Sequence, residues 1–302
     1  MKMFKRVMIT TTAAAAMIGL GAGSASADPI GGLLGGLTFL SDNSAEYLIK
    51  DADNNDPDFA TTLEVGDILR GIATIGSIEG INPVDPSVSI GDGTIYNELT
   101  AIFEIQVTGI SPGGACGAAY CMSFGASTGF ATELGGLGFG NTGGAMVAFF
   151  EDATTDYTRT GTIAAGEASA TGGNPYWLFG LSDTDDFWNA ETDIIDISLA
   201  SLFPPPTTFG FFEAGLSLLD NPFGRNLIDV ACADSSGGGV PVLTSNAICG
   251  RGGLFAAGTG DFDSWNNVDF TIHAVPEPTT LGLFGLGLFG IGLLGRRRRR
   301  QA

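Results

Sequence analysis

From Glu98 to Thr108 apolar and polar residues alternate. Leu99, Ala101, Phe103, Ile105 and Val107 share one face, and Glu98, Thr100, Glu104, Gln106 and Thr108 share the other, where Ile102 is the one apolar residue. Period two with β-branched and aromatic enrichment predicts a half-buried strand. Ile68, Ile72 and Ile78 predict a second over Asp67–Ile78. Shorter runs predict strands at Glu46–Lys50, Ala145–Phe150, Tyr176–Leu181, Ile194–Leu199, Thr207–Glu213 and Val268–His273, although Thr192–Leu202 also fits a helix. Turn clusters at Asn82-Pro83, Asp85-Pro86, Gly91-Asp92-Gly93, Ser111 to Gly114 and Ser235 to Gly239 separate them. Ala115–Gly144 is rich in glycine and poor in charge, and is expected to be a long loop or irregular strands. Few stretches have the helical period. The pattern predicts an all-β, antiparallel sandwich or jelly-roll-like domain. Pro204-Pro205-Pro206 marks either a subdivision near residues 203–207 or a stiff edge of one domain.

Both ends break this pattern. At the N-terminus Lys2, Lys5 and Arg6 precede an alanine-rich apolar run, Val7–Gly23, and then Ala25-Ser26-Ala27. A basic start, a short apolar run and a small-residue site have the form of a secretory signal peptide over residues 1–27, cut after Ala27 so that the mature chain starts at Asp28. The partners expected are the secretion translocon and signal peptidase. At the C-terminus Val275-Pro276-Glu277-Pro278 leads into an uncharged apolar run of 15 residues, Leu281–Gly295, and then Arg296, Arg297, Arg298, Arg299 and Arg300. As a helix that run is about 22 Å long, short of the ~30 Å bilayer core unless its flanks enter the interface. The five arginines are expected to stay cytoplasmic.

The signature, apolar stretch and basic stop at residues 275–302 resemble the PEP-CTERM sorting tag of Gram-negative bacteria. The resemblance implies recognition by an exosortase-type membrane protease, cutting near Pro276–Pro278, and delivery to the cell surface or extracellular matrix. It also implies a setting of exopolysaccharide production and biofilm or floc growth. It covers the tag alone, leaving residues 28–274 as the exported domain.

Charge sharpens the picture of that domain. Of 13 basic residues in the chain, three lie in the signal and five in the tail, leaving five; of 33 acidic residues one, Glu277, lies in the tail, leaving 32. The exported region therefore carries 5 − 32 = −27. Such a surface repels nucleic acid and anionic membranes, and attracts divalent cations or basic partners. All four cysteines fall in this region, in two local pairs, Cys116 with Cys121 and Cys232 with Cys249. An even count in an oxidising compartment reads as disulfides, and the local connectivity is expected. By chain entropy the larger loop stabilises by ~3 kcal/mol and the smaller by ~2.

Two kinds of side-chain cluster suggest binding. Asp51, Asp53, Asn55 and Asp58 place oxygen donors at alternate positions, as calcium loops do, although the EF-hand turn glycine is replaced by Asp56 and the closing glutamate by Thr62. Asp183, Asp185, Asp186 and Asp261, Asp263, Asn266, Asn267 are smaller sets of the same kind. The bland reading of each is an acidic surface turn. Trp177, Trp188 and Trp265 lie near Asp or Asn, as in sites that stack on sugar rings; equally, they could fill a core. The only histidine, His273, lies at a predicted strand end beside the tag, and the nucleophile-elbow, metalloprotease and phosphate-loop motifs are absent, so no catalytic residue is expected. The expected function is a structural or adhesive one in an exopolysaccharide matrix. The alternatives are a carbohydrate-binding module and a secreted hydrolase.

Overall fold

The computed structural model describes residues 36–50, 62–80, 88–89, 98–112, 116–154, 157, 162–195, 208–224, 226–235, 241–255 and 264–275. Thirteen strands and two short helices cover most of them. In chain order these are β1 Gly36–Lys50, β2 Ile68–Gly80, β3 Val88–Ser89, β4 Glu98–Pro112, β5 Tyr120–Ala126, α1 Thr128–Gly136, β6 Ala145–Asp152, α2 Ile163–Ala170, β7 Asn174–Gly180, β8 Phe187–Thr192, β9 Thr208–Asp220, β10 Val230–Asp234, β11 Val242–Asn246, β12 Ile248–Phe255 and β13 Ser264–Ala274.

All the pairings are antiparallel, and the ladder closes on itself. β1 pairs β2, β2 pairs β4, β4 pairs β6, β6 pairs β7, β7 pairs β9, β9 pairs β12, β12 pairs β13, and β13 returns to β1. β4 and β9 are long enough to serve two neighbours on one side. β4 gives Glu98–Phe103 to β6 and Ile105–Pro112 to β5, while β9 gives Gly210–Gly215 to β8 and Ser217–Asp220 to β7. β5 pairs β8, so the wall forks and is closed along both branches. The sandwich expected from the pattern is therefore joined at both sides into a closed barrel.

The alternation in β4 explains the interior. Leu99, Ala101, Phe103, Ile105 and Val107 point into one core with Leu40, Phe149, Trp177, Phe179, Trp188, Phe212, Phe270 and Ile272. Phe149 is the hub, with Trp177, Phe179 and Phe270 edge-on around it at 5.7–6.2 Å between ring centroids. The opposite face of β4 is buried as well. Ile102 belongs to a second cluster with Ile72, Ala148, Phe150 and Leu178 from the wall, and Phe130, Leu134 and Ala170 from the two helices. The helices lie on the outer face of the wall, which is why an apolar residue sits among the polar positions of β4.

Several sequence expectations change. Ala115–Gly144 is neither a long loop nor irregular: it holds β5 and α1, the latter seated by Phe130 and Leu134 one turn apart. The strand near the one expected at Ile194–Leu199 lies before it, as β8 over Phe187–Thr192; Ile194 and Ile195 are outside any strand, and residues 196–202 lie outside the described ones. Pro204–Pro206 also lie outside them, but β8 and β9 on either side pair with each other, Phe187 opposite Gly215 and Thr192 opposite Gly210, and both line the same interior.

Candidate functional site

The described structure ends where the Pro276-Glu277-Pro278 signature begins. β13 runs between two neighbours up to its last residues. On one edge Leu37 opposes His273 and Gly36 opposes Ala274. On the other edge β12 reaches Ile272 and stops, opposite Ile248. A short arm, Asn226–Ile228, takes over from there. The Ile228 N–H donates to His273 O at 2.8 Å, Leu227 bridges Ala274, and the Val275 N–H donates to Asn226 O at 2.9 Å. Ala274 is buried and Val275 exposed.

Local sequence puts the arm there. After β9 the run Asn221-Pro222-Phe223-Gly224 makes a turn closed by the Gly224 N–H on Asn221 O at 2.9 Å. Proline at the second position and glycine at the fourth suit such a turn, and Gly224 has φ +71°, which side chains disfavour. Phe223 anchors the turn against Tyr176, 5.4 Å between centroids. Pro276, next in the sequence, has no N–H to donate to a ladder.

Both ends of the fold therefore share one pole. The strand ends that flank Asp51–Asp58 (Lys50 and Ile68) and Asp261–Asp263 (Phe255 and Ser264) lie at the other pole, since β1 pairs Gly36 with Ala274 at one end and Glu46 with Ser264 ten residues on, ~34 Å away. Asp51, Asp53, Asn55 and Asp58 themselves lie outside the described residues, as do Asp261, Asp263, Ala25, Ala27, Asp28, Pro276, Glu277, Pro278 and Arg296–Arg300.

The third aspartate cluster is described, and it serves the fold. Asp186 accepts the N–H groups of Ser182 and Asp183 on one oxygen, and Ser217 Oγ and Asn246 Nδ2 on the other. Asp185 accepts the Ser245 N–H at 3.2 Å. These bonds tie the β7–β8 turn to β9 and β11. The oxygens expected to converge on calcium are taken by protein donors, which corrects the metal reading for Asp186. The Asp183 carboxyl is held above the usual carboxylate range, chiefly by its hydrogen bond with Asp185, and the same bond holds Asp185 below it. Among the described residues no three His, Cys, Asp or Glu side chains are grouped to hold a metal ion.

The tryptophans are also interior. Trp177 is fully buried and Trp188 nearly so, stacked on Phe212 at 5.8 Å. Neither presents a face to a sugar, so both correct the stacking expectation: in a closed barrel the larger aromatics fill the interior. Trp265 lies on β13 opposite Phe255, and its side chain is outside the description.

One feature escapes sequence reading. Arg70 is buried on the outer face of β2, and its guanidinium meets Glu104 of β4 at 2.9 Å, Glu133 of α1 at 2.6 Å and Glu167 of α2 at 2.5 Å. It also lies 5.4 Å from the Phe130 ring centroid. Although burial works against its charge, the hydrogen bond to Glu133 and the attraction of Glu167 hold its pKa above the ordinary arginine value. On the opposite wall Cys232 of β10 is bonded to Cys249 of β12, and beside β4 Cys116 is bonded to Cys121 of β5. Both are the local pairs expected. The first staples the β10–β11 hairpin to the barrel; the Ser235 N–H donates to Glu213 Oε2, and Asp234 Oδ1 accepts from Asn189 Nδ2.

No helix among the described residues is long and apolar enough to cross a membrane. Comparison with curated proteins and with solved structures finds no match. The family description "PEP-CTERM protein-sorting motif" matches residues 274–300. The match begins at Ala274, the last residue of β13. Beyond its folded barrel, the chain thus carries a PEP-CTERM sorting motif.

Proposed function

We propose that this is an exported protein, processed by an exosortase-type membrane protease, whose barrel is a structural or adhesive component of the cell surface or an exopolysaccharide matrix. The observation that carries the reading is the sorting motif at residues 274–300, which starts at the last residue of β13. Two disulfides suit a barrel that works in an oxidising compartment. The −27 charge of the exported region suits calcium-bridged, multivalent contact with anionic polysaccharide. Interior Trp177 and Trp188 favour this diffuse contact over a dedicated sugar-stacking site.

Intact mass of the protein from the surface fraction tests the delivery step. The expected chain starts at Asp28 and lacks the Arg296–Arg300 peptide; a full-length cytosolic chain with reduced thiols overturns the reading. Co-sedimentation with the producing cell's exopolysaccharide tests the role. Binding is expected in calcium and is expected to fall at least tenfold in chelator; equal binding in both rejects the calcium bridge.

A further inference from the structure

We propose that the pole where β13 ends is a clasp that sets the rate of tag removal. The proposal rests on the processing reading above. A protease cleft takes its substrate as an extended peptide whose backbone groups are free to pair with the enzyme. In this chain the residues directly before Pro276 are not free. His273 O and Val275 N are bonded to Ile228 and Asn226, and the opposite edge of residues 273–274 is covered by Gly36 and Leu37 of β1. Ala274 is buried between them. Among the described residues the last backbone hydrogen bond is at Val275, directly before Pro276.

A protease acting near Pro276–Pro278 has to wait until residues 273–275 peel away from the Asn226–Ile228 arm and from β1. Cleavage then proceeds only in the fraction of time that this strand end is open.

Pulse-chase in the producing cells, following loss of the Arg296–Arg300 peptide, tests this with two changes made singly and together. The first inserts six Gly/Ser residues and a second valine between Val275 and Pro276, which leaves both the clasp and a whole Val-Pro-Glu-Pro signature intact and supplies free chain. The second is Ile228→Pro, which deletes the N–H donated to His273 O at a position whose side chain is exposed. The spacer is expected to speed conversion roughly tenfold and Ile228→Pro roughly threefold, as the loss of one or two backbone hydrogen bonds predicts. With the spacer present, Ile228→Pro is expected to add nothing. Equal rates with and without the spacer overturn the clasp alone. A chain that keeps Arg296–Arg300 with and without the spacer overturns both the clasp and the processing reading. If Ile228→Pro loses its disulfides or its resistance to added protease, it has misfolded, and the spacer comparison decides by itself.

Discussion

The two walls of the barrel are covered in opposite ways. Over β2, β4, β6 and β7 the outward side chains include Ile72, Ile102, Ala148, Phe150 and Leu178, and two helices lie on them. Over β9 and β12 the outward positions include Glu213, Gly215, Ser217, Cys249 and Arg251, and a hairpin lies there instead. Gly215 is required by that cover, since a Cβ would come within 2.5 Å of Asn246 Oδ1. A wall of large apolar residues holds its cover by excluding water. A wall of small and polar residues has little to bury, so its cover is held by a disulfide and a hydrogen-bond network. The helix wall pays for its tight burial with one charged knot at Arg70.

That contrast can be broken at graded points. Arg70→Met should have the largest effect, a loss of about 3–5 kcal/mol in urea unfolding, because Glu104 is left buried without its cation. Adding Glu104→Gln should recover part of it; a double variant as unstable as the single one would count against the knot. Ile102→Ala should cost ~2–4 kcal/mol by emptying the seam under the helices. Cys232→Ser with Cys249→Ser should cost ~2–4 kcal/mol and expose the hairpin to protease while the helix wall stays protected, as read by hydrogen exchange. Asn246→Ala should cost ~1–3 kcal/mol, since Asn246 bonds Asp186 and Thr244 within the network.

The smallest effect concerns Glu191. Partial burial, and then the neighbouring Glu213, raise its pKa, with Arg251 opposing. A carboxyl raised on folding weakens the fold above its folded pKa and has no effect below its unfolded one. Glu191→Gln should therefore stabilise by a few tenths of a kcal/mol at neutral pH and by nothing in acid, because the group is largely solvated.

Legibility in the sequence followed the physics of each wall. β4 was readable because its inward face alternates, and Ile102, the exception, pointed to cover on the other side. α1 was hidden because nine residues with three glycines carry little helical signal, and what holds it down, Phe130, Leu134 and the Glu133 pair with Arg70, is tertiary. β12 was hidden because Gly250, Gly252 and Gly253 erase the alternation. The sorting motif was readable residue by residue, since it is a linear signal. The clasp beside it was not, because backbone groups distant in sequence make it and no side chain marks it.

Because β13 lies between β1 and β12, the barrel is sewn shut by its first and last strands, with Gly36 opposite Ala274 across 274 − 36 = 238 residues of chain. Until residue 274 is free, β1 and β12 each keep a raw flank that foreign strands can join. Loop closures of this span are the slow steps of folding. A polypeptide truncated anywhere before β13 should thus misassemble rather than fold partway, and the newly made chain completes its shape only when all but the tag has emerged.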